Sequence, residues 1–409
     1  MFGERIMETC IDDLRESTEF LNLLLSNINS AVLIVDENLQ IHQFNEFFVE
    51  LFDSSLDSYV EKSFGQATGC INAVMENKPC GKTSHCHSCI LRRSLIESMV
   101  EKVPGDKLTL ERIFYINGEA KHKHLEFSTR PVYYRDQKLT LVIIYDITDI
   151  EQKKIELEAK QQQIDEDLKA AAGIQQSLLP SRSPDIPNVN IAWEFEPCGQ
   201  IGGDIFNIQL LDKDKIGLYM LDVCGHGVSA SLIAVSASQF LQSSRDFFAS
   251  RPEIPTPGAV LDSLNRAFPF KRFDSFFSIA YATLDFRKGV LTYSCAGHPP
   301  PVLLSKNRPP EILDQHGPVI GMNDQQAFSE TQKQLVPGDK IVLYTDGILE
   351  CRDSCAGIFG KDRFYETLDA LSSRSVTEII GEVTAGIKKY TKGSSPDDDI
   401  SIMVVEYSG

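Results

Sequence analysis

Apolar residues are arranged in three different ways along the chain. Between residues 31 and 146 they form short runs that predict strands over 31–35, 40–44, 108–116, 124–134 and 139–146. Asp36-Glu37-Asn38, Asn117-Gly118 and Asp136-Gln137 supply the turns, and helical spacing predicts short helices over 45–51 and 91–100. A hairpin, small helices and a three-stranded meander make a five-stranded antiparallel sheet with helices on one side. Upstream, Ile6, Cys10, Leu14, Phe20, Leu21, Leu24 and Leu25 recur at helical spacing and predict an amphipathic helix over 5–27.

The second arrangement is a long polar stretch. From 132 to 172 there is neither Gly nor Pro, and after Thr148 the chain is rich in Glu, Lys, Gln and Ala. Ile150, Leu157, Ile164, Ala171 and Leu178 recur every seventh residue. A helix with such a seam cannot bury it alone, so a two-stranded coiled coil, and with it a homodimer, is expected. The alternative is a single helix packed on one of the domains.

Pro180, Pro184, Pro187 and Pro197 break that helix and open the third arrangement. Strands are predicted over 189–195, 216–223, 276–285, 290–295, 340–344 and 400–406, and helices over 227–242, 257–268, 361–371 and 376–390. Blocks of paired strands and paired helices argue for antiparallel sheets with helices outside, an α+β chain. The expected partition is an N-terminal helix over 1–26, a first domain over 27–148, a linker helix over 149–179 and a second domain over 180–409.

Composition narrows the function. The 409 residues carry 40 Lys+Arg against 58 Asp+Glu, a formal net charge of −18. Such a surface repels phosphate backbones and anionic lipid, so no nucleic-acid partner and no membrane insertion are expected. No apolar run approaches the ~20 residues that span a bilayer, and the first residues lack a secretory apolar core. Ten cysteines without such a leader point to reduced thiols in a cytoplasmic protein.

Four acidic spots share one design. Asp204 follows Ile201-Gly202-Gly203, and Asp222 ends the apolar run 216–221 before Val223-Cys224-Gly225-His226-Gly227. Asp346 ends 341–345 and precedes Gly347, while Asp397, Asp398 and Asp399 precede the closing apolar segment. Each alone reads as a turn, but four in one domain read as a cluster. Carboxylates brought together repel unless a cation neutralises them, and hard Mg²⁺ or Mn²⁺ suits oxygen ligands. Two such ions about 3.5–4 Å apart can acidify a water and neutralise a phosphoryl group.

From Ile174 onward the sequence resembles the bacterial SpoIIE/RsbU-type branch of the PPM metal-dependent serine/threonine phosphatases. The resemblance rests on Ile174-Gln-Gln-Ser-Leu-Leu-Pro180, Gly202-Gly-Asp204, Asp222-Val-Cys-Gly-His-Gly227, Ala296-Gly-His-Pro-Pro-Pro301, Leu343-Tyr-Thr-Asp-Gly347 and Asp398-Asp-Ile-Ser401, in the family's order. It implies an α-β-β-α sandwich with a two-metal site, Mn²⁺ or Mg²⁺, at the sheet edges. It implies Asp222 as bridging ligand, the Val223 carbonyl on one metal, and Asp204, Asp346 and Asp398 completing the catalytic cluster. Gly203, Gly347 and Asp399 support it. The implied substrate is phosphoserine or phosphothreonine on a partner protein, typically a STAS-type anti-anti-sigma factor. Asn207 stands where the family often has a second Asp, Ser401 where Thr is common, and His226 where Lys is frequent. His298 in its Gly-Pro turn is expected to shape the loop. No Arg is marked as a phosphate clamp. Asn207 alone favours the rival reading, a pseudophosphatase or scaffold that works by capturing a partner. A cyclase-like output lacks a triphosphate cradle.

Residues 20–150 resemble a PAS sensor domain through the strand order, the opening Asn27-Ile-Asn-Ser-Ala-Val-Leu-Ile-Val-Asp36 and the exit Asp146-Ile-Thr-Asp149. Within it lie Cys70, Cys80 and the pair Cys86-Xaa-Xaa-Cys89, with His85 and His87 interleaved. This spacing admits Zn²⁺, an iron–sulfur cluster or a redox pair, or else plain reduced thiols in a loop. Cys10, Cys198, Cys224, Cys295, Cys351 and Cys355 read as core or incidental.

Overall fold

The computed structural model describes residues 23–52, 59, 61–134, 136–180, 185–248, 254–323, 327–353, 357–394 and 396–409. Most of the expected N-terminal helix lies outside them, as do Cys10, Cys355 and Pro184. The chain divides into two compact units, Met1–Gln162 and Gln163–Gly409.

The first unit holds strands β1 (Ala31–Val35), β2 (Ile41–Phe44), β3 (Gly105–Ile116), β4 (Glu119–Tyr134) and β5 (Gln137–Asp146), all antiparallel, in the order β2-β1-β5-β4-β3. Helices α1 (Glu46–Phe52), α2 (Ile71–Glu76) and α3 (Ile90–Ile96) lie between β2 and β3 in sequence. A π turn, Glu97–Glu101, follows α3. The strands alternate as a half-buried sheet must: Leu110, Phe114, Leu125, Phe127, Val142 and Ile144 are buried, while Glu111, Ile113, Tyr115 and Tyr145 are exposed. The buried face meets Phe48, Phe52, Leu91 and Leu95 of the helices. Phe48 sits at the centre, its ring 5.1 Å from both Phe52 and Tyr59. β3 and β4 extend beyond their predicted limits, because 105–107 and 119–123 are polar and carry no period-two signal.

Helix α4 (Thr148–Leu178) runs 31 residues as one element, with Ile150, Leu157 and Ile164 exposed.

The second unit contains two five-stranded sheets. The first orders β13 (Thr331–Gln334), β10 (Val290–Ala296), β9 (Phe277–Asp285), β8 (Lys215–Val223) and β7 (Ile205–Leu210). The second orders β12 (Glu311–Ile312), β11 (Val302–Leu304), β14 (Lys340–Tyr344), β15 (Ile400–Tyr407) and β6 (Val189–Glu196). All their pairings are antiparallel.

Strand parity explains the layering. Ile216, Leu218 and Met220 of β8 join Leu343 of β14 and Met403 and Val405 of β15 in one core between the sheets. The alternate residues, Tyr219, Leu221 and Val223, pack under α5 (Val228–Phe248) and α6 (Pro257–Ala267). On the other side, Val342, Tyr344, Ile402 and Val404 pack under α7 (Gly347–Glu350), α8 (Lys361–Leu371) and α9 (Val376–Tyr390). The strands are apolar on both faces because both faces are covered, which yields the expected α-β-β-α sandwich. A Ser375–Glu378 capping box starts α9.

Replacing the central ring, Phe48→Ala, is expected to cost about 3–5 kcal/mol in the first unit. Chemical denaturation of the full chain, followed by a probe in that unit, checks it; a loss below about 1 kcal/mol would contradict the packing described.

Candidate active site

The acids expected to cluster do converge at one end of the sandwich. Asp222 ends β8, Asp346 follows β14, and Asp398 and Asp399 precede β15, so three central strands deliver their ends to one place. Asp222, Val223, His226, Asp346, Asp397 and Asp398 line an open cleft of ≈ 310 Å³, whose other walls include Phe276, Phe277 and Ser278. No Lys or Arg is among the lining residues.

Asp204 lies behind the cleft, 1% exposed. Its Oδ2 accepts hydrogen bonds from Thr345 Oγ1 at 2.9 Å and Ser401 Oγ at 2.6 Å. Ser401 therefore supplies the hydroxyl that Thr would supply. Asp204 also hydrogen-bonds Asp222. Asp399 is the buried strut: its Oδ1 accepts from the Cys198 amide at 2.8 Å, and its Oδ2 accepts from the amides of Gly203 at 2.5 Å and Asp204 at 3.2 Å. It ties the Asp204 loop to the start of β15. Two glycines make room. A Cβ on Gly347 would collide with the Asp399 carbonyl, and one on Gly203 would stand 2.9 Å from the Val223 carbonyl oxygen.

Electrostatics follow from this crowding. Burial and then the neighbouring carboxylates push Asp222 up to about 7. Burial and the Asp222 charge hold Asp204 well above the usual carboxylate range. Asp346 is raised by burial and then by the Asp398 and Glu350 charges, and Asp398 by burial and then by Asp399 and Glu350, with His226 acting the other way. An acidic cleft in which Asp222, Asp346 and Asp398 are all pushed toward protonation, with no Lys or Arg in its lining, fits divalent metal. The donor set of carboxylates and a backbone carbonyl is hard oxygen, which suits Mg²⁺ or Mn²⁺.

Asn207 does not face the cleft. Its Nδ2 donates to the Leu178 carbonyl at 3.1 Å and its Oδ1 accepts from the Ile208 amide at 2.7 Å, so it fastens the end of α4 to β7. The scaffold reading thus loses its one sequence argument. His298 is 3% exposed; its Nδ1 pairs with Ser278 Oγ at 2.7 Å, and burial lowers it to about 3, so it stays neutral. Sequence reading missed Thr345 and Gln175. Gln175 Nε2 donates to the Gly202 carbonyl at 2.7 Å while its Oε1 accepts from the Gly202 amide at 3.1 Å. Buried polar residues within or beside family motifs were the available signal. Cys224, read as core or incidental, is exposed on the cleft, and Cys198 lies beside Asp399, where burial and that carboxylate push its thiol up to about 12. Cys295 and Cys351 are buried.

In the first unit Cys70, Cys80, Cys86 and Cys89 line one cavity. Among the described residues, Glu111, His122 and His124 alone place three metal-ligating atoms within 4.8 Å of one another. No three of the cysteine sulfurs come that close, nor do three carboxylates of the cleft, so neither group is a preformed single-ion site.

Asp222 sets a pH dependence for metal-free protein. Its folded pKa lies above the ordinary value of about 3.9, so the protonated form favours folding. That stabilisation is complete below about pH 4 and is lost as pH rises through about 7. With chelator present, the melting temperature is expected to fall between pH 5.5 and 8, by on the order of 2 kcal/mol in stability. Asp222→Asn should flatten that slope and Mn²⁺ should restore the loss. A slope unchanged in Asp222→Asn would place the repulsion elsewhere.

Comparison with known proteins agrees with this geometry. The family described as stage II sporulation protein E (SpoIIE) matches residues 212–408. Phosphoserine phosphatase RsbU of Bacillus subtilis is 31% identical over 242 residues, covering 58% of this chain and 69% of RsbU. Protein IcfG of Synechocystis is 27% identical over 58% of this chain and 41% of its own length. For phosphoserine phosphatase RsbP of B. subtilis the identity is 24%, over 53% and 52%. The matches thus span well under two thirds of IcfG and RsbP. Among solved structures, the SiaA-PP2C domain of Pseudomonas aeruginosa shares the fold, with TM-score 0.53 and 23% identity over 61% of this chain and 99% of that domain. Among the described residues no helix is long and apolar enough to cross a membrane. With its acids gathered at the sandwich edge and an RsbU-like sequence through the second unit, the chain belongs to the SpoIIE-type PPM serine/threonine phosphatases.

Proposed function

We propose that the second unit hydrolyses phosphoserine or phosphothreonine on a partner protein, a STAS-type anti-anti-sigma factor being the expected substrate class. The observation that carries this is the cleft lined by Asp222, Asp346, Asp397 and Asp398 without a Lys or Arg. Such a cleft repels a phosphate until cations enter it. Asp222, Asp346, Asp398 and the Val223 carbonyl would hold two Mn²⁺ or Mg²⁺, with Asp204 behind Asp222. When bound, the cations supply the positive charge that the cleft lacks and make a water acidic enough to attack phosphorus.

The chain's own residues do the positioning. Thr345 and Ser401 occupy one oxygen of Asp204 and leave the other turned to Asp222. Asp399 spends its carboxylate on three backbone amides, so its work is to hold the Asp204 loop. Asp222 at the end of β8 gains rigidity from antiparallel neighbours on both sides. In this reading metal-activated water is the nucleophile and no covalent phosphoenzyme forms.

The first unit is read as a PAS-type sensor, supported by the β2-β1-β5-β4-β3 sheet and by an exit helix that starts at Thr148. The exposed row Ile150, Leu157 and Ile164 supports pairing of α4 with a second copy in a cytoplasmic homodimer.

Phosphate release from a phosphoserine STAS protein is expected to require Mn²⁺ or Mg²⁺, and Asp222→Ala to reduce it by at least about 10²-fold. Full activity in that variant would sink the mechanism; no activity in the wild-type chain with either metal would favour a scaffold. Light scattering should report a dimer, and Leu157→Lys with Ile164→Lys should shift it toward monomer. A monomeric wild-type chain would remove the coiled coil.

A further inference from the structure

Four cysteines from one stretch of twenty residues, 70–89, share one small space in the first unit. Cys70 precedes α2 and is bridged to Phe114 of β3, Cys86 sits in the 3₁₀ turn Cys86–Ser88, and Cys89 precedes α3. With Cys80 they line a cavity of ≈ 40 Å³, several times the ~10–15 Å³ that one water needs. Arg92 and Arg112 line it too. We propose that this cavity holds a [4Fe–4S] cluster, with the thiolates of Cys70, Cys80, Cys86 and Cys89 each on a different iron.

The sulfur spacing argues against a single ion. Around one Zn²⁺, with Zn–S bonds of about 2.3 Å, tetrahedral sulfurs stand about 3.8 Å apart. No three of these sulfurs lie within 4.8 Å of one another. Thiolates on separate metals of a polynuclear core stand farther apart, which this arrangement accommodates.

Hydrogen-bond donors meet two of the sulfurs. Cys86 Sγ accepts a hydrogen bond from the Gly81 amide at 3.0 Å and lies 2.9 Å from Thr83 Oγ1. Arg92 lines the same cavity as this sulfur. Arg112 Nη1 donates to Cys70 Sγ at 3.6 Å. A core of two ferrous and two ferric irons with four sulfides carries about +2, and four thiolates bring the total to about −2, which the two guanidiniums balance. Assembly from these ions needs no outside oxidant or reductant. Each thiol gives up its proton to solvent as its sulfur bonds iron.

The test uses the full chain, purified without oxygen and reconstituted with equal ferrous and ferric iron plus sulfide. About four irons and four acid-labile sulfides per chain are expected, with broad visible absorption from sulfur-to-iron charge transfer. The double variant Cys86→Ser, Cys89→Ser should lose both, and Cys198→Ser in the second unit should keep both. Zinc at one per chain in place of iron, no metal at all, or iron retained in the double variant would each overturn the proposal. Should the double variant fail to fold, iron and sulfide content of the wild-type chain decides alone. Phosphatase activity plays no part in the readout, so failure here leaves the hydrolase reading standing.

Discussion

Uncompensated negative charge at the end of three strands is the constraint on which the second unit depends. Two unit charges about 5 Å apart, at an effective dielectric near 20, repel by about 3 kcal/mol. The sandwich holds such groups together regardless, because each is anchored by backbone it cannot leave. Asp222 is fixed by pairing on both sides of β8, Asp346 by the turn from β14 into α7, and Asp398 by the start of β15. The cost of this arrangement is met by the apolar layers, which cover both faces of both sheets. A site that destabilises its own scaffold and is relieved by a bound cation couples metal occupancy to stability.

Behind the cleft the chemistry is neutral and local. Asp204 and Asp399 are almost fully buried; hydroxyls meet one oxygen of Asp204, and amides meet both oxygens of Asp399. The two residues divide the labour. Asp204 keeps contact with Asp222, whereas Asp399 has no oxygen to spare and works as a tie between loop and strand. Glycine at 203 and 347 is what allows backbone oxygens to come close enough for this packing.

Much of this was legible in the chain. Asp222 and Asp346 stand out because long apolar runs end on them, and apolar runs covered on both faces read as strands. β7 was not predicted: Ile205 and Phe206 continue straight from the acidic motif, and Asn207 interrupts the run. The short β11, β12 and β13 carry too few residues for a period to show. The roles of Thr345, Gln175 and Asn207 depend on partners far away in sequence, Asp204 for the first, Gly202 for the second and the end of α4 for the third. The cysteine spacing in the first unit suggested a ligand set, but the distances that separate one ion from several metals exist only in three dimensions.

The fold also redraws where the catalytic part begins. Proline residues after Leu178 look like a natural seam, yet the last turns of the preceding helix are stitched into the loop that carries Asp204. Gln175 satisfies both backbone groups of buried Gly202, and Asn207 caps the carbonyl of Leu178. A fragment excised at the prolines would leave an orphaned amide and carbonyl within two residues of Asp204, at about 1–3 kcal/mol apiece. The minimal excisable hydrolase therefore carries its own piece of that helix as an integral splint.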